Sequence, residues 1–187
     1  MHRNLNRQIL GLISAVFIVF LSGCATTPNI GYKVDSVRQA SKNVEVKVNP
    51  FTDSRISREQ AVIGGVYNGY GMRMGDVHEP AGLIKSLEEA FKSELANSGY
   101  KIVDESHDIV IQGSVESISC EVVNGQNSTI LVRFKVTDKS QEVINKVYQG
   151  KKSIWMTFDA TGSDAINAAM KDLIKNFIKD LDEYIKS

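Results

Sequence analysis

Cysteines and histidines are the side chains of this sequence best able to do chemistry, and their spacing limits what they can do. Cys24 follows Leu21-Ser22-Gly23, and the two small residues before it leave an extended backbone slim enough to enter a peptidase site. Cys120 closes an alternating run that reads as a strand. Two readings stay open for it, a buried small hydrophobe or one half of an intermolecular disulfide. His78 and His107 have no His, Cys or paired carboxylate at metal-ligand spacing, so neither a zinc site nor a nucleophile–base pair is expected. The run Gly64-Gly65-Val66-Tyr67-Asn68-Gly69-Tyr70-Gly71 is glycine-rich enough to suggest a phosphate cradle. Such a loop needs a helix N-terminus behind it and usually a lysine after its last glycine, whereas Met72-Arg73 continue a strand pattern. Asp104-Glu105 with Asp108 reads as a solvated turn rather than a cation site. Asn127-Ser128-Thr129 matches a glycosylation acceptor in form only. No catalytic residue, metal or cofactor is expected from these spacings.

The segment before Cys24 has its own logic. Arg3 and Arg7 are the only charges in its first seven residues, and Ile9 to Leu21 is apolar apart from Gly11 and Ser14. A basic start, a short apolar run and small residues before a cut are the three parts of a secretory signal. The apolar run is roughly a dozen residues, short of the ~20 that a spanning helix needs. Removing residues 1–23, His2 among them, leaves 164 of the 187 residues, a natural size for one domain. The whole chain balances 22 basic against 22 acidic residues, and loss of the two leader arginines leaves a net charge of −2. With no basic block, nucleic acid is not an expected partner.

The elements that must position any site follow from periodicity. Residues 24–42 read as a tether without sustained pattern, a spacer between anchor and body. In Asn43 to Val48, Val44, Val46 and Val48 alternate with Glu45 and Lys47, a half-buried strand that Pro50 ends. Ala61 to Tyr67 and Tyr70 to Val77 flank Asn68-Gly69, a two-residue hairpin signal. Pro80 opens a helix with Leu83, Ile84, Leu87, Ala90, Phe91 and Leu95 on one stripe, and Gly99 suits its left-handed cap. Tyr100 to Val103 is a short strand. Three longer strands follow as an antiparallel meander: Asp108 to Cys120, the run holding Ile130, Val132, Phe134 and Val136, and Glu142 to Phe158, with a bulge or bend expected at Gly150. Ser163 is the expected cap of a last helix striped by Ile166, Met170, Leu173, Ile174, Phe177, Leu181 and Ile185, with Lys171, Lys175 and Lys179 on another face. The expected fold is α+β: one domain over residues 43–187, with two amphipathic helices packed on one face of an antiparallel sheet.

Within that body the hairpin from Ala61 to Val77 is the least core-like ordered segment. It combines five glycines with Tyr67, Tyr70, Met72 and Met74, side chains that bury large area and adapt to a partner. Those four are the candidate binding residues. The competing reading is that they cover the edge of the core.

Two resemblances sharpen the functional expectation. Leu21-Ser22-Gly23-Cys24 resembles the lipobox of bacterial lipoproteins, which implies cleavage before Cys24 and a thioether-linked lipid on it as the only covalent group. Ala25 stands where an aspartate would favour inner-membrane retention, so the resemblance implies an outer-membrane anchor facing the periplasm. The body resembles the YajG-like lipoproteins. The residues that carry this are Val44-Glu45-Val46-Lys47-Val48 running into Phe51-Thr52-Asp53-Ser54-Arg55, the helix Leu83 to Leu95 ending in Ser98-Gly99-Tyr100, Asp108-Ile109-Val110-Ile111, and the terminal amphipathic helix. It implies a non-enzymatic accessory or binding component that meets the membrane through lipid and an envelope protein through its surface. The alternative is an auxiliary subunit of a lipid or lipopolysaccharide transport system.

Overall fold

The computed structural model describes residues 26–34, 41–56, 61–105, 109–155 and 161–187. Cys24, His107, Asp108 and Phe158 lie outside the described residues. Three long strands dominate: β6 (Ile109–Val122), β7 (Gly125–Asp138) and β8 (Gln141–Trp155), paired in sequence as the expected antiparallel meander. Alternation fixes their faces. Ile109, Ile111 and Val115 of β6 point into the core, and a bulge between Val115 and Ser117 shifts the set so that Ile118 and Cys120 stay inside. Residues Gln126 to Val136 of β7 are buried at every even position, and Tyr148 and Gly150 of β8 take the same side.

The sheet is mixed rather than wholly antiparallel. The free edge of β6 is tiled by three short strands, all parallel to it: β1 (Glu45–Val48), β2 (Thr52–Asp53) and, through one pair, β3 (Val62–Tyr67). β5 (Lys101–Ile102) pairs with β1, and β4 (Arg73–His78) pairs antiparallel with β3. The cause lies in the connections. Between β1 and β6 the chain makes a hairpin and a helix, a crossover long enough to bring it back in the same direction. The fold class is α+β.

Helix α1 (Leu83–Asn97) and helix α2 (Ser163–Lys186) both lie on the buried face. Phe91 of α1 stacks on Phe134 of β7 at 4.8 Å, and Phe177 of α2 meets the same ring at 4.5 Å. Phe51 and Tyr148 complete the aromatic centre. Pro80 falls in the turn before α1, whose N-cap is Gly82. α1 ends as expected: Gly99 is left-handed, its N–H reaches the Ala96 carbonyl and the Tyr100 N–H reaches that of Leu95. Ser163 does not cap α2. It is the first helical residue, Gly162 is the N-cap, and the Ala165 N–H donates to Oε1 of the buried Gln126 on β7 at 3.0 Å. Gly150 is no bulge either, since it pairs regularly with Ile130. A Cβ there would come within 1.9 Å of the Ala169 carbonyl oxygen, so the missing side chain lets α2 lie on the backbone of β8.

The segment expected to be a free spacer is fastened to the body over its described part. Thr26 makes a parallel bridge to Val77 on the outer edge of β4: its N–H donates to the Asp76 carbonyl at 2.9 Å and its carbonyl accepts from His78 at 2.7 Å. Ile30 and Tyr32 pack against the core, and the Tyr32 hydroxyl donates to Glu94 of α1.

Candidate functional site

The β3–β4 hairpin is rooted and then projects. Ile63 and Val77 are buried at its base. Gly64 lies against β6 so closely that a Cβ would come within 1.6 Å of the Cys120 carbonyl oxygen, which is why this strand carries glycine there. The turn differs from the two-residue Asn-Gly expected. Gly69-Tyr70-Gly71 forms a three-residue loop closed by the Asn68 N–H on the Met72 carbonyl, with Gly71 left-handed at φ 78°. The Asn68 side chain makes this loop: its Oδ1 accepts from the backbone of both Tyr70 and Met72 at 3.0 Å.

The four candidate binding residues separate into two groups. Tyr70 is 92 % exposed, Met72 58 % and Met74 54 %. Tyr67 is half-buried, its ring folded over Gly65 where a Cβ would meet it at 2.9 Å, so it supports the hairpin from within. The structure adds a residue that the pattern reading missed. Gly69 lies near Asn124 in the β6–β7 turn, and the next residue, Gly125, pairs with Trp155, which is 74 % exposed. Tyr70, Met72 and Trp155 therefore share one end of the sheet. The available signal was parity: Trp155 is an odd number of residues from both buried β8 positions, Tyr148 and Gly150, and so faces away from the helices.

Other polar groups are occupied in holding the fold. In the Phe51-Thr52-Asp53-Ser54-Arg55 run, Arg55 forks onto Asp53 at 2.7 and 2.9 Å and reaches Glu79 at 2.6 Å, tying the segment after β2 to the end of β4. The hydrogen bond from Asp53 is the main cause that raises the Arg55 pKa, against burial, with Glu79 adding to it. The Phe51 N–H donates to Glu88 of α1 at 3.0 Å. Tyr100 and Lys42 share Asp182, and Tyr148 and Lys146 share Asp180. Burial, then the bonded aspartate, raises the pKa of Tyr100 and of Tyr148.

On the open side of the sheet a depression of about 560 Å³ is lined by Gln112, Ser114, Arg133, Lys135 and Asn145 among others. Its two cations are engaged by Glu116 and Glu142 at 2.8 and 2.7 Å, which leaves no concentrated charge for an anion. Cys120 is fully buried with its Sγ beneath Gly162, where a Cβ would lie 2.3 Å away. Among the described residues no group of three His, Cys, Asp or Glu could hold a metal ion, and no helix is long and apolar enough to cross a membrane.

No protein-family model matches this sequence, and no curated protein matches it. Solved structures share its fold. Protein XCC0632 from Xanthomonas campestris, of family model DUF330, superposes with a TM-score of 0.55 at 14% identity, over 83% of this chain and 92% of its own. The hypothetical protein CT253 from Chlamydia trachomatis gives 0.53 at 11% identity, over 76% of this chain and 98% of its own. At such identities the likeness establishes the α+β fold and nothing of the chemistry.

Proposed function

We propose that this chain is a lipoprotein anchored in the outer membrane by lipid on Cys24, facing the periplasm, and that it works as a non-enzymatic accessory or binding component of the envelope. The observation that carries the reading is the order Leu21-Ser22-Gly23-Cys24 followed, two residues later, by a domain fastened at Thr26. A secretory leader that ends in a cysteine at the mouth of a packed domain makes sense if the thiol holds that domain at a surface. The YajG-like resemblance supports the same reading, as do the exposed Tyr70, Met72, Met74 and Trp155, which suit contact rather than bond chemistry. Palmitate labelling of cells expressing the full chain should mark the protein, and Cys24→Ala should abolish both the label and the leader cleavage. The labelled protein should sediment with outer membrane on a density gradient. Label persisting in Cys24→Ala, or recovery in the inner-membrane fraction, would contradict the respective part of the reading.

A further inference from the structure

We infer that the end of the domain bearing Tyr70, Met72, Met74 and Trp155 rests on the bilayer that holds the anchor, with the hairpin loop at headgroup depth. The inference rests on the lipoprotein reading of Cys24 and names the partner of the exposed hairpin as the lipid surface itself.

Three observations converge. The first is reach. Thr26 is pinned to β4 by two backbone hydrogen bonds, and Cys24 is two residues before it. Two residues span at most about 7 Å, so the lipid-bearing sulfur cannot stand far from the β4 edge. The second is direction. The Thr26 bridge is parallel to β4, so the N-terminal side of Thr26 points back along the strand from Val77 toward Gly75 and Met74, the side of the hairpin loop. The anchor therefore pulls the loop end toward the membrane and turns the far end, with the β7–β8 turn, away from it.

The third is chemistry. Six large hydrophobic side chains are exposed among the described residues, and four of them are Tyr70, Met72, Met74 and Trp155. Tyrosine and tryptophan favour the headgroup level of a bilayer, where an apolar ring and a polar tip are both accommodated, and methionine adds a flexible apolar stem. Arg73, between the two methionines, has its charge paired with Asp76 at 2.7 Å. A rim this small holds a membrane weakly by itself. Joined to an acyl anchor by so short a link, its contact becomes intramolecular, at an effective concentration on the order of millimolar.

The test uses the acylated full chain in vesicles of phosphatidylethanolamine and phosphatidylglycerol, with and without nitroxide-labelled lipid. Trp155 is the single tryptophan and reports directly. Two further variants carry Trp155→Phe, one with Tyr70→Trp and one with Gln141→Trp, at opposite ends of the sheet and both at exposed positions. A residue seated ~5–10 Å into the headgroup boundary should lose about half or more of its emission to shallow nitroxide, and this is expected at positions 70 and 155 but not at 141. Mass measurement of the N-terminal peptide separates the two ideas under test. An unacylated Cys24 overturns the anchor reading. An acylated chain in which the Tyr70→Trp variant is unquenched, or in which it and the Gln141→Trp variant are quenched alike, overturns the orientation. So does shielding of position 70 by a co-purifying protein in place of lipid.

Discussion

Cys120 and Asp180 show at the level of single residues how much of this chain's chemistry is turned inward. The Cys120 thiol is fully buried beneath the turn that starts α2, so alkylation of the native protein should be slow and should become fast in denaturant. Rapid native labelling, or a reductant-sensitive dimer, would show that the strand end opens. Asp180 has its pKa lowered chiefly by the Lys146 hydrogen bond, against burial, with the Tyr148 hydroxyl adding to it. For Glu88, burial pushes the pKa up, but the bonds from Lys92 and from the Phe51 N–H outweigh it and the net shift is downward. Carboxyls with lowered folded pKa values stabilise the fold above their ordinary values and lose that contribution as pH falls through the lowered ones. Thermal stability should therefore decline from about pH 5 toward pH 3. Asp180→Asn should be less stable at neutral pH, by up to about 1 kcal/mol for so exposed a pair, and should show a shallower decline. Equal slopes in thermal melts of the two proteins would remove Asp180 from the account.

Strands and helices were largely legible, because each answers to a pattern within its own length. Val44-Glu45-Val46-Lys47-Val48 alternates, the α1 and α2 stripes repeat at helical spacing, and Gly99 ends α1 as a left-handed cap should. What escaped the sequence depends on residues far away along the chain. Gln126 satisfies the start of α2 from 39 residues earlier, and nothing in the Thr161-Gly162-Ser163 run announces it. Gly150 carried a correct sign, that a side chain is unwelcome, but the reason is the Ala169 carbonyl rather than a bend in the strand. The binding candidates divided for the same cause: Tyr67 turns back onto Gly65, Tyr70 does not, and Trp155 joins the exposed end through pairing across three strands. The β7–β8 turn offers a check at this scale. Lys139 and Ser140 both have positive φ, 46° and 71°, as a two-residue primed turn demands, yet neither is the residue type that favours it. Lys139→Asn with Ser140→Gly should stabilise the protein by about 0.5–1 kcal/mol. The melting temperature should rise by about 2–4 °C in a domain of this size. No rise would mean that Lys139 or Ser140 has a role beyond the turn.

Across the whole molecule the N-terminal part of the domain is held by partners that the chain supplies much later. Tyr32 bonds to Glu94, 62 residues on, and Lys42 bonds to Asp182, 140 residues on, within five residues of the C-terminus. Thr26 waits for β4, and Lys42 for the last turns of α2. Chains are made from the N-terminus onward, and domains settle as their parts arrive. The end that is to be cut and acylated is thus the first to emerge and the last to be fastened. Until Asp182 has been delivered, the residues around Cys24 and Thr26 are free of the finished domain and open to a peptidase or an acylating enzyme. Completion of the chain closes that interval, so modification and folding follow one another in time through the order of the sequence itself.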